Sequence, residues 1–166
     1  MMPRWFSDLS SLSARRGPLA FAALVLIADQ ISKWWIVDHV MVRPRVIEVT
    51  PFFNIVMTWN RGVTFGMLAS DGENTRWLLI VLSLAVVGVL LVWLARTAAR
   101  LPAFALAAVI GGALGNVIDR LNYGKVADFL DFHLAGWHWP AFNLADSAIV
   151  CGVGLLLLDT FTSRPE

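Results

Sequence analysis

Long apolar stretches separated by polar segments organise this chain. Residues 77–95 contain no charged side chain, and Ser83 is their only polar one, while residues 102–118 are interrupted only by Asn116. Residues 19–37 and 140–158 are equally long, but each carries polar residues toward one end. A membrane-spanning helix needs about 20 mostly apolar residues. The pattern therefore predicts four transmembrane helices.

The region between the first two predicted helices, residues 38–76, has a different pattern. Residues 46–58 are rich in β-branched and aromatic side chains and are broken by Pro51, and residues 60–62 have the composition of a turn. This pattern favours short strands, which continue into residues 63–66. Open strands cannot lie in hydrocarbon, so we expect a small sheet at the membrane surface.

Basic residues orient the predicted helices. Four spans place both termini on one side, and on that side Arg15 and Arg16 precede the first span and Arg96 and Arg100 lie in a short loop. Because short loops rich in Lys and Arg stay inside, we expect cytoplasmic termini. Residues 38–76 and a loop at residues 119–139 then lie on the far side of the membrane. The fold class predicted is a membrane all-α protein with a small β-sheet on that far side, forming a single integral membrane domain over residues 1–166.

Composition agrees with a membrane protein. Hydrophobic residues make up 58% of the chain and charged residues 15%, compared with about 45–50% and 25% in soluble domains. The net charge of +1 gives no basic field for nucleic acid. The one cysteine, Cys151, excludes an internal disulfide and a thiolate metal site, and we expect it to pack within the fourth span. Most tryptophans fall on the far side of the membrane, where aromatic side chains favour the interface: Trp34, Trp35, Trp59, Trp77, Trp137 and Trp139.

The polar residues of the predicted spans converge on one layer. An ionisable group near the centre of a membrane helix costs about 2.5–3.5 kcal/mol, so such residues usually serve a function. The alternation of the spans places all of these residues in the same outer layer of the membrane, away from the predicted cytoplasmic side. They are Asp29, Gln30, Lys33, Asn116, Asp119, Arg120, Asp128, Asp131, Asn143 and Asp146.

Several of these residues lie three or four positions apart, which is the spacing of one helix face. Two sets contain opposite charges, so buried ion pairs that lock the helices together, Asp29–Lys33 and Asp119–Arg120, are an open alternative to a functional role. Asp128 and Asp146 fit that alternative less well, because neither has a basic residue within one helical turn.

Two unpaired carboxylates at a membrane surface point to acid–base chemistry. Neighbouring carboxylates share a proton, so one can activate water while the other protonates a leaving amine, as in aspartic proteases. The three histidines show no metal-ligand spacing, and no serine or cysteine has a suitable base. Spacing alone does not choose two carboxylates from Asp119, Asp128 and Asp146.

Five motifs occur in order along the chain: D-Q-x-x-K at residues 29–33, N-x-G-x-x-F at 60–65, G-N-x-x-D-R at 115–120, V-x-D-F at 126–129 and F-N-x-A-D at 142–146. Through these motifs the chain resembles the bacterial lipoprotein signal peptidase (signal peptidase II) family over about residues 28–159. The resemblance implies that Asp128 and Asp146 are the catalytic aspartates. The other motif positions would support the pair or contact substrate: Asp29, Lys33, Asn60, Gly62, Asn116, Asp119, Arg120 and Asn143.

The resemblance also implies a substrate and a location. The family removes the signal peptide from diacylglyceryl-modified prolipoproteins, cutting just before the lipid-modified cysteine, without a metal or cofactor, and is blocked by globomycin. We therefore expect a monomer in the bacterial inner membrane, in contact with membrane lipid, with its site facing the periplasm. Trp59 and the predicted strands would cradle the lipid-bearing peptide.

Two other function classes are alternatives. A small transporter would need polar groups through the whole membrane depth, and the cytoplasmic halves of these spans lack them. A metal-dependent lipid-modifying transferase would need clustered metal ligands, and the aspartate spacing fits no such motif. A purely structural protein would tolerate asparagine at Asp128 and Asp146.

Overall fold

A computed structural model describes residues 9–62 and 73–162 of the chain. Its four long helices are α1 (Leu9–Trp35), α2 (Glu73–Arg96), α3 (Arg100–Tyr123) and α4 (Leu144–Thr162), and a π-helical turn, Ile36–Val40, continues α1. All four helices are long and apolar enough to cross a membrane. The prediction of four membrane-spanning helices is confirmed. Helix α1 begins ten residues before the apolar stretch at 19–37 and α4 begins four residues after the start of the stretch at 140–158.

Helix α3 is the centre of the bundle and contacts each of the other three helices. In the most apolar 18-residue stretch of α3, 67% of the residues are buried, compared with 22% in α1 and α2 and 11% in α4. The other helices therefore turn most of their apolar surface outward, as expected of helices surrounded by lipid. Cys151 is exposed on α4, so the prediction that it packs inside the bundle is wrong.

Glycines on α3 allow its neighbours to approach closely. A Cβ atom on Gly111 would lie 2.5 Å from the backbone oxygen of Ala22 on α1, and one on Gly112 would lie 2.5 Å from that of Ala145 on α4. Both distances are shorter than van der Waals contact, so only glycine fits, as is common where membrane helices pack tightly. This close approach lets short side chains bridge α3 and α4.

A four-stranded antiparallel sheet completes the fold. Its order is β1 (Ile47–Thr50), β2 (Phe53–Asn60), β3 (Val126–Leu134) and β4 (Trp137–His138). The first two strands lie where the sequence predicts them, with the turn between them at Pro51. The other two lie between α3 and α4, where the sequence predicts a loop and no strand. The strand predicted at residues 63–66 lies outside the described residues.

The sheet is attached to the helices at the end where α1 finishes. Ile36 of the π-helical turn and Met41 form a buried apolar cluster with Phe129 of β3. The backbone of β3 also bonds to the segment that leads into α4, because Leu130 and Phe142 exchange two hydrogen bonds of 2.8 and 3.1 Å. These contacts hold the first half of β3 against the ends of α1 and α4.

Candidate active site

Nine of the ten polar residues that the sequence placed in one layer meet in the structure; the exception is Asp131. The nine lie where α1 and α3 end and α4 begins, covered by the first half of β3. Seven of the ten are buried, and these are Asp29, Lys33, Asp119, Arg120, Asp128, Asp131 and Asn143. Gly62 is also buried, while Asn60, Asn116 and Asp146 are partly buried.

A buried ion-pair network forms the base of the site. The ammonium of Lys33 lies 2.9 Å from Asp29 Oδ2 and 2.9 Å from Asp119 Oδ2. The predicted Asp29–Lys33 pair is confirmed. Asp119 pairs with Lys33 and not with Arg120 as proposed, because consecutive residues on a helix do not face each other.

Arg120 holds backbone instead. Its guanidinium donates to the carbonyl oxygens of Gly62 at 2.8 Å and Asn116 at 3.3 Å. The bond to Gly62 ties the turn after β2 to α3. Both residues therefore lie at the site, as their motif positions suggested, with Gly62 contributing its backbone.

Asp29 and Asp119, the two carboxylates of this network, also anchor the backbone beside Asp146 and Asp128. Asp29 Oδ1 accepts the backbone N–H of Ala145 at 2.9 Å, and Asp119 Oδ2 accepts that of Ala127 at 3.1 Å. Ala145 directly precedes Asp146, and Ala127 directly precedes Asp128. Each ion-paired carboxylate therefore anchors the backbone next to one of the remaining aspartates.

Asp146 belongs to the first turn of α4. Its backbone N–H donates to Asn143 Oδ1 at 2.9 Å, and its own Oδ2 accepts the backbone N–H of Asn143 at 3.3 Å. This reciprocal arrangement is a capping box, which satisfies N–H groups that a helix start leaves free. The remaining oxygen, Oδ1, accepts a hydrogen bond of 2.8 Å from Asn116 Nδ2 on α3.

Asp128 lies on β3 and accepts hydrogen bonds from two side-chain amides. Asn143 Nδ2 donates to Oδ1 at 2.7 Å, and Asn60 Nδ2 donates to Oδ2 at 3.1 Å. Burial raises the pKa of Asp128 to about 7, the negative charge of Asp146 adds to this effect, and the two amides oppose it. Asn143 contacts both aspartates, so the two carboxyls share one site. With a pKa of about 7, Asp128 is partly protonated near neutral pH.

Gln30 also belongs to the site, although the sequence did not predict it as a site residue. Gln30 Nε2 donates to Asp119 Oδ1 at 3.0 Å and to Asp29 Oδ2 at 3.1 Å, so it joins the two ion-paired carboxylates. Its place between Asp29 and Lys33 in the first motif was the available signal. Asp131, by contrast, makes its hydrogen bonds with Asn54 and His138 on the sheet.

Within residues 9–62 and 73–162, no three His, Cys, Asp or Glu side chains converge in the arrangement of a metal site.

The chain matches a protein family model over most of its length. A family model described as signal peptidase (SPase) II matches residues 21–162. The chain belongs to the signal peptidase II family.

Curated relatives carry the name lipoprotein signal peptidase. The protein of Methylorubrum extorquens is 45% identical over 93% of this chain and 91% of its own length, and that of Paraburkholderia phytofirmans is 48% identical over 89% and 88%. Two solved bacterial membrane enzyme structures, obtained by the in meso method, are 31% and 30% identical, with TM-scores of 0.76 and 0.74. They cover 90% and 89% of this chain, which in turn covers 93% and 94% of theirs.

Signal peptidase II membership makes the chain a membrane peptidase that processes prolipoproteins. The transporter and transferase alternatives are not favoured.

Proposed function

We propose that Asp128 and Asp146 are the catalytic pair with which this enzyme removes the signal peptide from diacylglyceryl-modified prolipoproteins. One observation carries the assignment. Lys33 forms ion pairs with Asp29 and Asp119, whereas the donors that reach Asp128 and Asp146 in the described part of the chain are amide groups. An adjacent cation favours the ionised form of a carboxyl, so we assign the two ion-paired aspartates the role of anchors.

The paired carboxyls supply a water-activating base and an acid. The ionised aspartate takes a proton from a water molecule as the water oxygen attacks the scissile carbonyl carbon. The protonated aspartate donates to the carbonyl oxygen, and a proton reaches the leaving amine nitrogen as the carbon–nitrogen bond breaks. No metal or other cofactor takes part in this scheme.

The position of the site suits a substrate that stays in the membrane. Asp146 lies in the first turn of α4, and its donor Asn116 lies in the second half of α3. The four arginines that set the orientation, Arg15, Arg16, Arg96 and Arg100, belong to the opposite ends of α1, α2 and α3. This separation supports cytoplasmic termini, a site facing the periplasm and an inner-membrane location.

The sheet supports a role in holding substrate. Trp59 lies next to Asn60 on β2, and the centre of its ring is 5.3 Å from the centre of the Tyr123 ring. The ammonium of Lys125 lies 4.3 Å from the centre of the Trp59 ring. We expect this surface to contact the lipid-bearing peptide. Trp59→Ala should raise KM for the modified prolipoprotein with little change in thermal stability; unchanged kinetics would count against the cradle.

Three further statements belong to the same proposal and follow from the family resemblance: cutting just before the lipid-modified cysteine, inhibition by globomycin-type peptides and a monomeric state in contact with membrane lipid. The apolar cluster that joins Phe129 to the end of α1 supports a single integral membrane domain over residues 1–166.

The experiment that tests the catalytic pair is cleavage of a purified diacylglyceryl-modified prolipoprotein in detergent with a chelator present. Wild type should cut, while Asp128→Asn and Asp146→Asn should fold and lose at least about 10³-fold in rate, near the upper part of the range for acid–base catalysis. Asp131→Asn is the matched control, because it makes the same change on the same strand. Near-full activity in either variant, or loss of wild-type activity with chelator, would overturn the assignment.

A further inference from the structure

The side-chain amide of Asn116 can lie in one orientation only. An amide offers an oxygen that accepts and a nitrogen that donates, whereas an ammonium group only donates. Lys33 Nζ lies 3.0 Å from the amide oxygen of Asn116. The NH₂ group must therefore point the other way, where it lies 2.8 Å from Asp146 Oδ1.

The amide of Asn143 is fixed in the same manner by a different donor. The backbone N–H of Asp146 donates to its oxygen at 2.9 Å, so its NH₂ group faces Asp128 at 2.7 Å and Asn116 Oδ1 at 3.3 Å. The two asparagines thus direct one N–H donor to each aspartate. Only the donor to Asp146 depends on a charged residue, Lys33.

The surroundings of the two aspartates differ in how well they tolerate negative charge. Asp146 is partly exposed and lies in the first turn of α4, where the helix dipole favours an anion. Arg120 of α3 lies within electrostatic reach of Asp146, Asp128 and Asp119. Asp128 is 1% exposed on a strand, so its negative charge is the more costly one.

We propose that Lys33 is a positioning residue for the catalytic pair: by holding the NH₂ group of Asn116 toward Asp146, it keeps Asp146 ionised and leaves the shared proton on Asp128. This inference rests on the proposed function, because it concerns that same pair. Asp146 is then the base that activates water, and Asp128 is the acid. Lys33 acts through Asn116 and does not itself exchange a proton.

The test is the pH dependence of kcat/KM for the modified prolipoprotein, measured from about pH 4 to 9. A donated hydrogen bond stabilises the ionised carboxylate, so its loss raises the pH at which the base ionises. Asn116→Ala should shift the acid limb upward by about one pH unit and leave the alkaline limb in place. The near-isosteric Asn116→Asp places a negative charge beside Asp146 and should shift the acid limb further.

Asn54→Ala is the control for removing a buried asparagine. Asn54 Nδ2 donates to Asp131 Oδ2 at 3.0 Å on the same sheet, so this variant loses an equivalent bond away from the pair. Its pH profile should match that of wild type. A similar shift in Asn54→Ala would mean that any buried asparagine changes the profile, which would overturn the proposal.

The role of Lys33 is tested by a double-mutant cycle. Lys33→Met should shift the acid limb in the wild-type background and add no shift to Asn116→Ala. Lys33→Met leaves two buried carboxylates without their cation, so thermal unfolding is measured first. If this variant does not fold, Asn116→Ala and Asn116→Asp decide the proposal.

The outcomes separate this inference from the proposed function. If Asp146→Asn remained active, Asp146 would not be catalytic and the proposed function itself would be overturned. An inactive Asp146→Asn with unshifted Asn116 variants would leave the pair standing and overturn the positioning role. A shift of the alkaline limb alone would place the proton on Asp146 and overturn the assignment of acid and base.

Discussion

Asp128 and Asp131 lie three residues apart on β3 and resemble each other in most respects. Their exposed fractions are 1% and 5%, and each accepts a hydrogen bond from an asparagine of β2, Asn60 or Asn54. Yet the pKa of Asp128 is raised to about 7, and the pKa of Asp131 is lowered. An odd separation turns their side chains to opposite faces of the sheet, so they meet different neighbours.

The neighbours explain the difference. Burial raises the pKa of Asp128, and the charge of Asp146 adds to it. Burial acts in the same direction on Asp131, but hydrogen bonds from His138, 2.9 Å away, and from Asn54 outweigh it. One strand therefore carries two carboxyls whose pKa values are shifted in opposite directions. Burial raises the pKa of both, and the ionisable neighbour then either adds to the rise, as Asp146 does for Asp128, or opposes it, as His138 does for Asp131.

Among changes that keep both aspartates, the largest expected effect comes from giving Asp128 a cationic neighbour. Asn60→Lys would place an ammonium beside Asp128, and an opposite charge at this distance lowers a carboxyl pKa by about 1–3 units. The pair could then no longer retain its shared proton near neutral pH. Cleavage at pH 7 should fall by about 100-fold and recover in part at lower pH.

Asn54→Lys is the matched change beside Asp131, which is already ionised, and should alter cleavage by no more than about twofold. Equal losses in the two lysine variants would show that the two ends of β3 do not differ as described.

The next effect is on the pH dependence of stability. The folded pKa of Asp128, about 7, exceeds the ordinary value of 3.8. The folded state therefore binds the proton more tightly, and its contribution is complete below about pH 4 and is lost as the pH rises through about 7. Thermal unfolding in detergent should show that Asp128→Asn, relative to wild type, gains stability between about pH 4 and 7.

Asp131 should show the opposite sign. Its folded pKa lies below the ordinary value of 3.8, so its stabilisation is present above that value and is lost as the pH falls through the folded pKa. Asp131→Asn should therefore cost stability at pH 6 and cost less at pH 3. Parallel curves for the two asparagine variants would contradict the comparison.

The smallest effect concerns the partner of Asp131. The side chain of His138 is 53% exposed, and solvent weakens pairs of that kind. His138→Ala should lower the free energy of unfolding by about 0.5 kcal/mol or less and leave cleavage unchanged. A loss of activity would mean that the far end of β3 takes part in the reaction.

The sequence predicts those parts of the fold and site that depend on the length of the helices and on residue spacing within one helix. Apolar run lengths identified the helices, and alternation of four spans brought the polar residues into one layer. The i,i+4 spacing also identified the Asp29–Lys33 pair. These features follow from the regular geometry of single helices, which a sequence displays directly.

The pairings between elements could not be predicted in the same way. Lys33 pairs with Asp119 because α1 packs against α3 with these two side chains in the contact. Spacing within one helix does not show which residues of a second helix it will contact. Strand β3 was missed because Val126, Ala127, Asp128 and Phe129 are all buried, so the alternation typical of a half-exposed strand is absent. Spacing therefore left Asp119, Asp128 and Asp146 as alternatives, and within the sequence only the resemblance selected the pair that we propose.

The two aspartates of the proposed catalytic pair come from opposite sides of a single step in membrane insertion. Asp128 precedes the fourth membrane crossing, and Asp146 is part of the cap that starts it. A chain whose fourth helix has not entered the bilayer has not yet assembled this pair. We therefore expect a partly inserted chain to be inactive toward the signal peptides around it.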